Sequence, residues 1–200
     1  MRIDVVTLFP EMFQGFLDGS LLGAAQKSGL LDIRLKNIRD FATGVHRQVD
    51  DRPYGGGPGM VLEAEPLYQA LQSAHAKLDT TPLVVEMCPR GTPLNRELLS
   101  TLSPHQSITI ICGRYEGIDQ RLQSSIDQKV SVGDYVLSGG EIPAMVLIDA
   151  LTRLQPGTIT EDSILEDSFE THLLDHTHFT RPEVWRGQTV PEVLLSGNHN

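Results

Sequence analysis

Two hundred residues are enough for one domain with an ordinary core, or for one domain and part of a second, so no metal or disulfide staple is required. Hydrophobic residues make up 40% and charged residues 21%, which excludes a disordered charge-rich chain and a membrane protein. Sixteen Lys plus Arg against 26 Asp plus Glu leave a charge of −10, concentrated late in the chain. That balance argues against a DNA-coating protein and an anionic-membrane binder, but not against one specific RNA.

Arg2 to Leu8 reads as a mostly buried strand, and Pro10 opens a helix carrying Met12, Phe13, Phe16 and Leu17 on one face. Helical character continues through Ala25 to Gly29, and Leu31 to Leu35 alternates as a second strand. From Arg39 to Gly59 the periodicity vanishes into a polar, glycine-rich loop of about 20 residues, a length uncommon in a compact domain unless it has a task. Leu62 to Leu78 predicts an amphipathic helix, Leu83 to Met87 a strand, and Asn95 to Leu102 a short helix. Ser107 to Cys112 is the most β-branched segment and predicts a central strand. Ile126 to Val132 predicts a further strand, and Ile142 to Leu154 a buried helix with Pro143 in its first turn. Strands alternating with helices predict an α/β fold with a mostly parallel sheet and flanking helices.

After Gly157 the chain turns acidic and loses its period, so residues 158–168 are expected to form a flexible linker. The irregular stretch 169–200 is expected to begin a second, truncated domain, because the chain stops just after an apolar run. Cys88 and Cys112 each adjoin an apolar run, as reduced thiols would in the cytosol, and the start MRIDVVTLF has no signal-peptide core. A cytoplasmic location is expected.

Three loops that follow predicted strands are rich in glycine: Cys88 to Gly91, Gly113 to Gly117 and Gly133 to Gly140. Loops beyond the carboxyl ends of parallel strands form a ligand crevice, and glycine lets backbone donors and acceptors approach a planar ligand. Three tight turns would leave the same trace. No GxxxxGK[ST] occurs, and Gly55 to Gly59 lacks the strand–turn–helix context of a dinucleotide fingerprint. His172, His176 and His178 do not form HExxH, and no zinc cluster is evident. His46 and Arg47, with Tyr54 and the following glycines, combine phosphate donors with a stacking ring, as a nucleic-acid or nucleotide contact would; a solvated surface loop with an internal Asp–Arg pair is the alternative. Arg153 and Asp167 taken alone are accounted for as a helix C-terminal cation and a capping residue.

His46 to Met60, Cys112 to Asp119, Val132 to Pro143, Glu166 to Phe169, Thr180 to Glu183 and Leu194 to His199, in that order, resemble the bacterial tRNA (guanine-N1)-methyltransferases of the trefoil-knot (SPOUT) superfamily, which modify the guanine 3′ of the anticodon. The resemblance implies a deep C-terminal trefoil knot within residues 1–157, S-adenosylmethionine as cofactor, and a homodimer with a composite active site. The cofactor would be held by Met87, Cys88, Pro89 and Gly91, by Gly113, Arg114, Tyr115, Glu116 and Gly117, and by Val132, Gly133, Tyr135, Leu137, Ser138, Gly139, Gly140 and Pro143. It makes Asp167 the general base for the N1 proton and Arg153 the donor that stabilises charge on O6. The tRNA anticodon stem-loop would meet His46, Arg47, Tyr54, Pro58, Gly59 and Tyr115, and a weakly held Mg2+ would be felt by Glu116. The family continues beyond Leu194 to His199 into a helical tRNA-binding domain, so residues 169–200 are expected to be its start. The competing expectations are a knotted ribose 2′-O-methyltransferase and a non-catalytic RNA-binding module with a nucleotide pocket.

Overall fold

The computed structural model describes residues 1–76, 78, 80–160, 168–169 and 174–196. It divides into two compact units, Met1–Ile164 and Leu165–Asn200, where the sequence places a linker at 158–168. Most of that expected linker lies outside the described residues.

The first unit is built on five parallel strands: β1 (Arg2–Thr7), β2 (Asp32–Asn37), β5 (Leu83–Pro93), β6 (Ser107–Cys112) and β7 (Gln128–Ser131), in the order β2-β1-β6-β5-β7. β6 occupies the middle and is buried throughout, its two polar residues Ser107 and Thr109 included. Ile108, Ile110 and Cys112 face a core layer with Leu147, Ile148 and Leu151 of α5 (Glu141–Arg153). Ile111 faces the opposite layer, where α3 (Ala64–His75) contributes Leu67, Ala70 and Leu71. The parallel α/β expectation is therefore met, with both faces covered.

Three predicted elements differ in detail. The helix expected from Pro10 is a 3-10 turn (Pro10–Phe13) followed by α1 (Gln14–Asp18) and α2 (Ser20–Lys27), because Gly19 adopts an extended conformation between them. The long loop contains a short antiparallel pair, β3 (Asp50–Asp51) with β4 (Val61–Leu62), too brief to leave a period in sequence. β5 does not end at Cys88. Its register slips on β7, where Val130 faces both Met87 and Thr92, so residues 88–91 bulge out and the strand then resumes. α4 (Arg96–Leu102) starts where expected, with Asn95 accepting a 2.9 Å hydrogen bond from the Leu98 N–H.

The second unit contains a small hairpin, β8 (Val184–Trp185) with β9 (Gln188–Thr189), and a single turn of helix, α6 (Glu192–Leu195). Among the described residues no helix is long and apolar enough to cross a membrane.

Candidate active site

The carboxyl ends of β5, β6 and β7 open on one side of the sheet, and the three glycine-rich loops leave from there. They surround a cleft of about 310 Å³, within the size range of small-molecule sites. All of the residues expected from the three loops line it except Gly91. Gly91 sits instead at the crossing of β5 with β7, where a Cβ would come within 2.6 Å of the Lys129 and Val130 carbonyl carbons. Glu86, Arg90, Val130, Ser131 and Val136 also line the cleft. Glu86, Val130 and Ser131 belong to the strands that lead into the loops, and Arg90 and Val136 lie within two of them; a reading centred on glycine passed over all five because glycine marks where the backbone bends.

The second and third loops are stitched together. Gly140 N–H donates to the Gly113 carbonyl at 2.9 Å, and a Cβ on Gly140 would lie 2.7 Å from the Cys112 Cα. Arg114 extends along this seam, 2.9 Å from the Glu141 carboxylate and donating to the Ser138 carbonyl at 3.1 Å. Its guanidinium also stacks 4.4 Å from the centre of the Phe9 ring. Glu141, with 1% of its side chain exposed, accepts a 2.8 Å hydrogen bond from Thr7 Oγ1 at its other oxygen. Thr7 and Glu141 stand 134 positions apart, so no local pattern relates them.

At the cleft floor Lys129 Nζ lies 3.2 Å from Glu86 Oε2, a pair with little solvent exposure. Burial pushes the Cys112 thiol well above its ordinary range, helped by Glu141 and opposed by Arg114, so this cysteine is a neutral core residue. Tyr135 folds over the third loop. Its hydroxyl donates to the Val132 carbonyl at 3.2 Å, and its ring covers Gly133, whose φ of +150° and missing Cβ leave the space. An added Cβ would meet only Ile118 Cγ2, at 3.8 Å, at Gly113 and open space at Gly117, while the Gly117 N–H donates to the Arg114 carbonyl at 2.9 Å and its carbonyl accepts from Leu62 at 3.0 Å.

The remaining expected residues are placed as follows. Gly59 lies against the Glu116 side chain, and the Glu116 N–H donates to the Met60 carbonyl at 3.0 Å, so the end of the long loop borders the cleft. His46, Arg47, Tyr54 and Pro58 are exposed and do not line it. Arg47 is 3.8 Å from Asp40. Arg153 is half-buried in the last turn of α5 and also does not line the cleft. Asp167 lies outside the described residues. Glu116 belongs to no three-membered His, Cys, Asp and Glu cluster among the described residues.

The whole chain, residues 1–200, matches the family model described as "tRNA (Guanine-1)-methyltransferase TrmD". It is 50% identical over 202 residues to the tRNA (guanine-N(1)-)-methyltransferase of Pelotomaculum thermopropionicum, covering all of this chain and 80% of that protein. The protein of that name from Albidiferax ferrireducens is 52% identical over 204 residues, covering all of this chain and 82% of the relative. The crystal structure of tRNA (m1G37) methyltransferase from Aquifex aeolicus superposes with a TM-score of 0.86 at 40% identity, covering all of this chain and 84% of that one. The fold, including the knotted course of its carboxyl-terminal half, is the one expected from sequence.

Proposed function

The chain belongs to the tRNA (guanine-1)-methyltransferase family, and from that membership we propose that it methylates N1 of guanine 37 of tRNA with S-adenosylmethionine held in the three-loop cleft. The observation that carries this reading is the convergence of three sequence-distant loops on one backbone-lined cavity. The cavity fits the cofactor: about 310 Å³ of space lies between the loops, and no side chain at Gly113 or Gly117 intrudes on it. When bound, S-adenosylmethionine supplies an electrophilic methyl on a sulfonium, so the protein's work is orientation and proton handling.

Guanine N1 is protonated at neutral pH. Asp167 is assigned the role of accepting that proton, and Arg153 of donating to O6 as negative charge moves there. α5 spans 13 residues and rises ~20 Å from the cleft end to Arg153, beyond the reach of an arginine side chain. A second copy of the chain resolves this. Ile142 and Val146, both exposed, share the outer face of α5 with Arg153, and the turn Pro10–Phe13, with Met12 exposed, packs beside it. Pairing of that apolar face would bring Arg153 to the partner's cleft in a composite site.

His46, Arg47, Tyr54, Pro58 and Gly59 with Tyr115 are assigned to the anticodon stem-loop, on the strength of the Gly59–Glu116 contact. Residues 1–157 are the cofactor domain, 158–168 the linker and 169–200 the start of the tRNA-binding domain, in the cytoplasm where tRNA is modified. Glu116 offers one carboxylate, so Mg2+ there would keep most of its waters, and no step is assigned to it.

The test is cofactor binding by calorimetry together with digestion of treated tRNA to nucleosides. Asp167→Asn should lower the yield of N1-methylguanosine ~100-fold or more with cofactor affinity kept. No cofactor binding at millimolar concentration, or methyl found on a ribose, overturns the reading.

A further inference from the structure

In the second unit, outside the cofactor cleft, three metal-ligating side chains converge within four residues. Asp175 Oδ1 lies 2.9 Å from His176 Nδ1, and Asp175 Oδ2 lies 2.8 Å from His178 Nε2. The two imidazoles face each other with ring centres 4.3 Å apart. One ligand atom from each residue lies within 4.8 Å of the other two. We propose that Asp175, His176 and His178 form a binding site for a borderline transition-metal cation of the Zn2+ class.

Zinc bound at ~2.0–2.1 Å in tetrahedral geometry sets its ligand atoms roughly 3.3 Å apart. Whichever carboxylate oxygen binds, its one short separation needs to open by about half an ångström, and the other two, within 4.8 Å, to close by no more than about 1.5 Å, movements that χ rotation of exposed histidines accommodates. The carboxylate is already positioned. Its Oδ1 accepts the His176 backbone N–H at 2.7 Å, and the Asp175 N–H is held by Ser168 Oγ at 2.9 Å. Two imidazole nitrogens and one oxygen select Zn2+, Co2+, Ni2+ or Cu2+ over Mg2+, which prefers an all-oxygen shell. Exposure leaves the fourth position to water. Because Ser168 directly follows Asp167 in sequence, an ion here would fix the hydrogen-bonded segment next to the proposed base. The metal site itself does not depend on that assignment.

Tag-free full chain is titrated with Co2+ in the presence of excess Mg2+, following the visible d–d absorption, and then with Zn2+ as displacing ion. Micromolar Co2+ should give bands that one equivalent of Zn2+ removes. Paired His176→Ala and His178→Ala changes should weaken binding ~10-fold or more, with the far-UV dichroism unchanged because both side chains are exposed. Asp175→Asn, which keeps the shape but removes the charge, should weaken it as well. Wild-type bands that persist equally in both variants, bands that Mg2+ suppresses, or no bands at all would overturn the proposal.

Discussion

Arg114 is the test case for separating cofactor binding from construction. It lines the cleft, yet its side chain is only 16% exposed and its Nε lies 2.9 Å from a carboxylate that is 1% exposed. Arg114→Met keeps the bulk and removes the charge, leaving Glu141 with Thr7 Oγ1 as its remaining donor. Stranding one member of a buried ion pair costs about 3–5 kcal/mol, and the partial exposure of Arg114 places this case near the lower end. A domain of this size has about 5–15 kcal/mol in total, so the loss is large. Adding Glu141→Gln removes the stranded charge while its amide oxygen still accepts from Thr7, and the double variant should regain ~2 kcal/mol. Urea unfolding of cofactor-free protein measures both. The lone tryptophan, Trp185, belongs to the second unit, so the transition is followed by far-UV dichroism. If Arg114→Met unfolds within about 1 kcal/mol of wild type while cofactor affinity collapses, the ion pair is not structural and the reasoning fails.

Alkylation with iodoacetamide should modify Cys88, which lines the cleft, and spare Cys112, which is fully buried with its thiol pushed up. Saturating S-adenosylmethionine should slow the Cys88 reaction several-fold by mass spectrometry. An unprotected Cys88 would place the cofactor elsewhere. Val146→Arg with Ile142→Glu should turn a dimer into monomers by light scattering and abolish methylation with cofactor binding retained; dimers that survive would exclude the α5 face. His75, whose Nε2 lies 3.2 Å from Thr109 Oγ1, is pulled below its usual range, first by burial and then by Arg2, against Asp4 and Asp127. Its unfolded form takes a proton more readily than its folded form, so stability is fully present above about pH 6.5 and falls as pH drops through the folded value. His75→Gln should flatten that slope in urea midpoints measured between neutral and mildly acidic pH, and an unchanged slope would refute it.

What the sequence disclosed follows from which forces are local. β6 was legible because it concentrates β-branched residues in one run, and α5 because its apolar residues recur around Pro143, which its first turn tolerates. The loops were legible because glycine is conspicuous wherever backbone must bend sharply. Thr7 and Glu141 were not: a threonine ending a strand and a glutamate opening a helix are both ordinary, and only the folded chain brings them to 2.8 Å. The pair Asp50–Asp51 with Val61–Leu62 was missed for another reason, since two residues cannot express a period of two. His46, Arg47, Tyr54 and Pro58 are assigned to substrate from sequence alone, and in the folded chain they are exposed.

The glycines themselves divide into two physical classes that sequence cannot tell apart. At Gly91 and Gly140 the space a Cβ would take is filled by the backbone of another strand, and at Gly139 by Arg114 and Glu141. At Gly113 and Gly117 it is open. The first class lets one stretch of chain pass against another at a distance no side chain permits, as a knotted course demands. The second has its main chain bonded within the protein, Gly117 to Arg114 and Leu62 and the Gly113 carbonyl to Gly140, and contributes space free of a side chain. Both classes sit in the same three loops because the crossing of β5 with β7 and the seam between β6 and α5 are what hold the cleft open: the tight passages form its walls, and the open glycines keep side chains out of it.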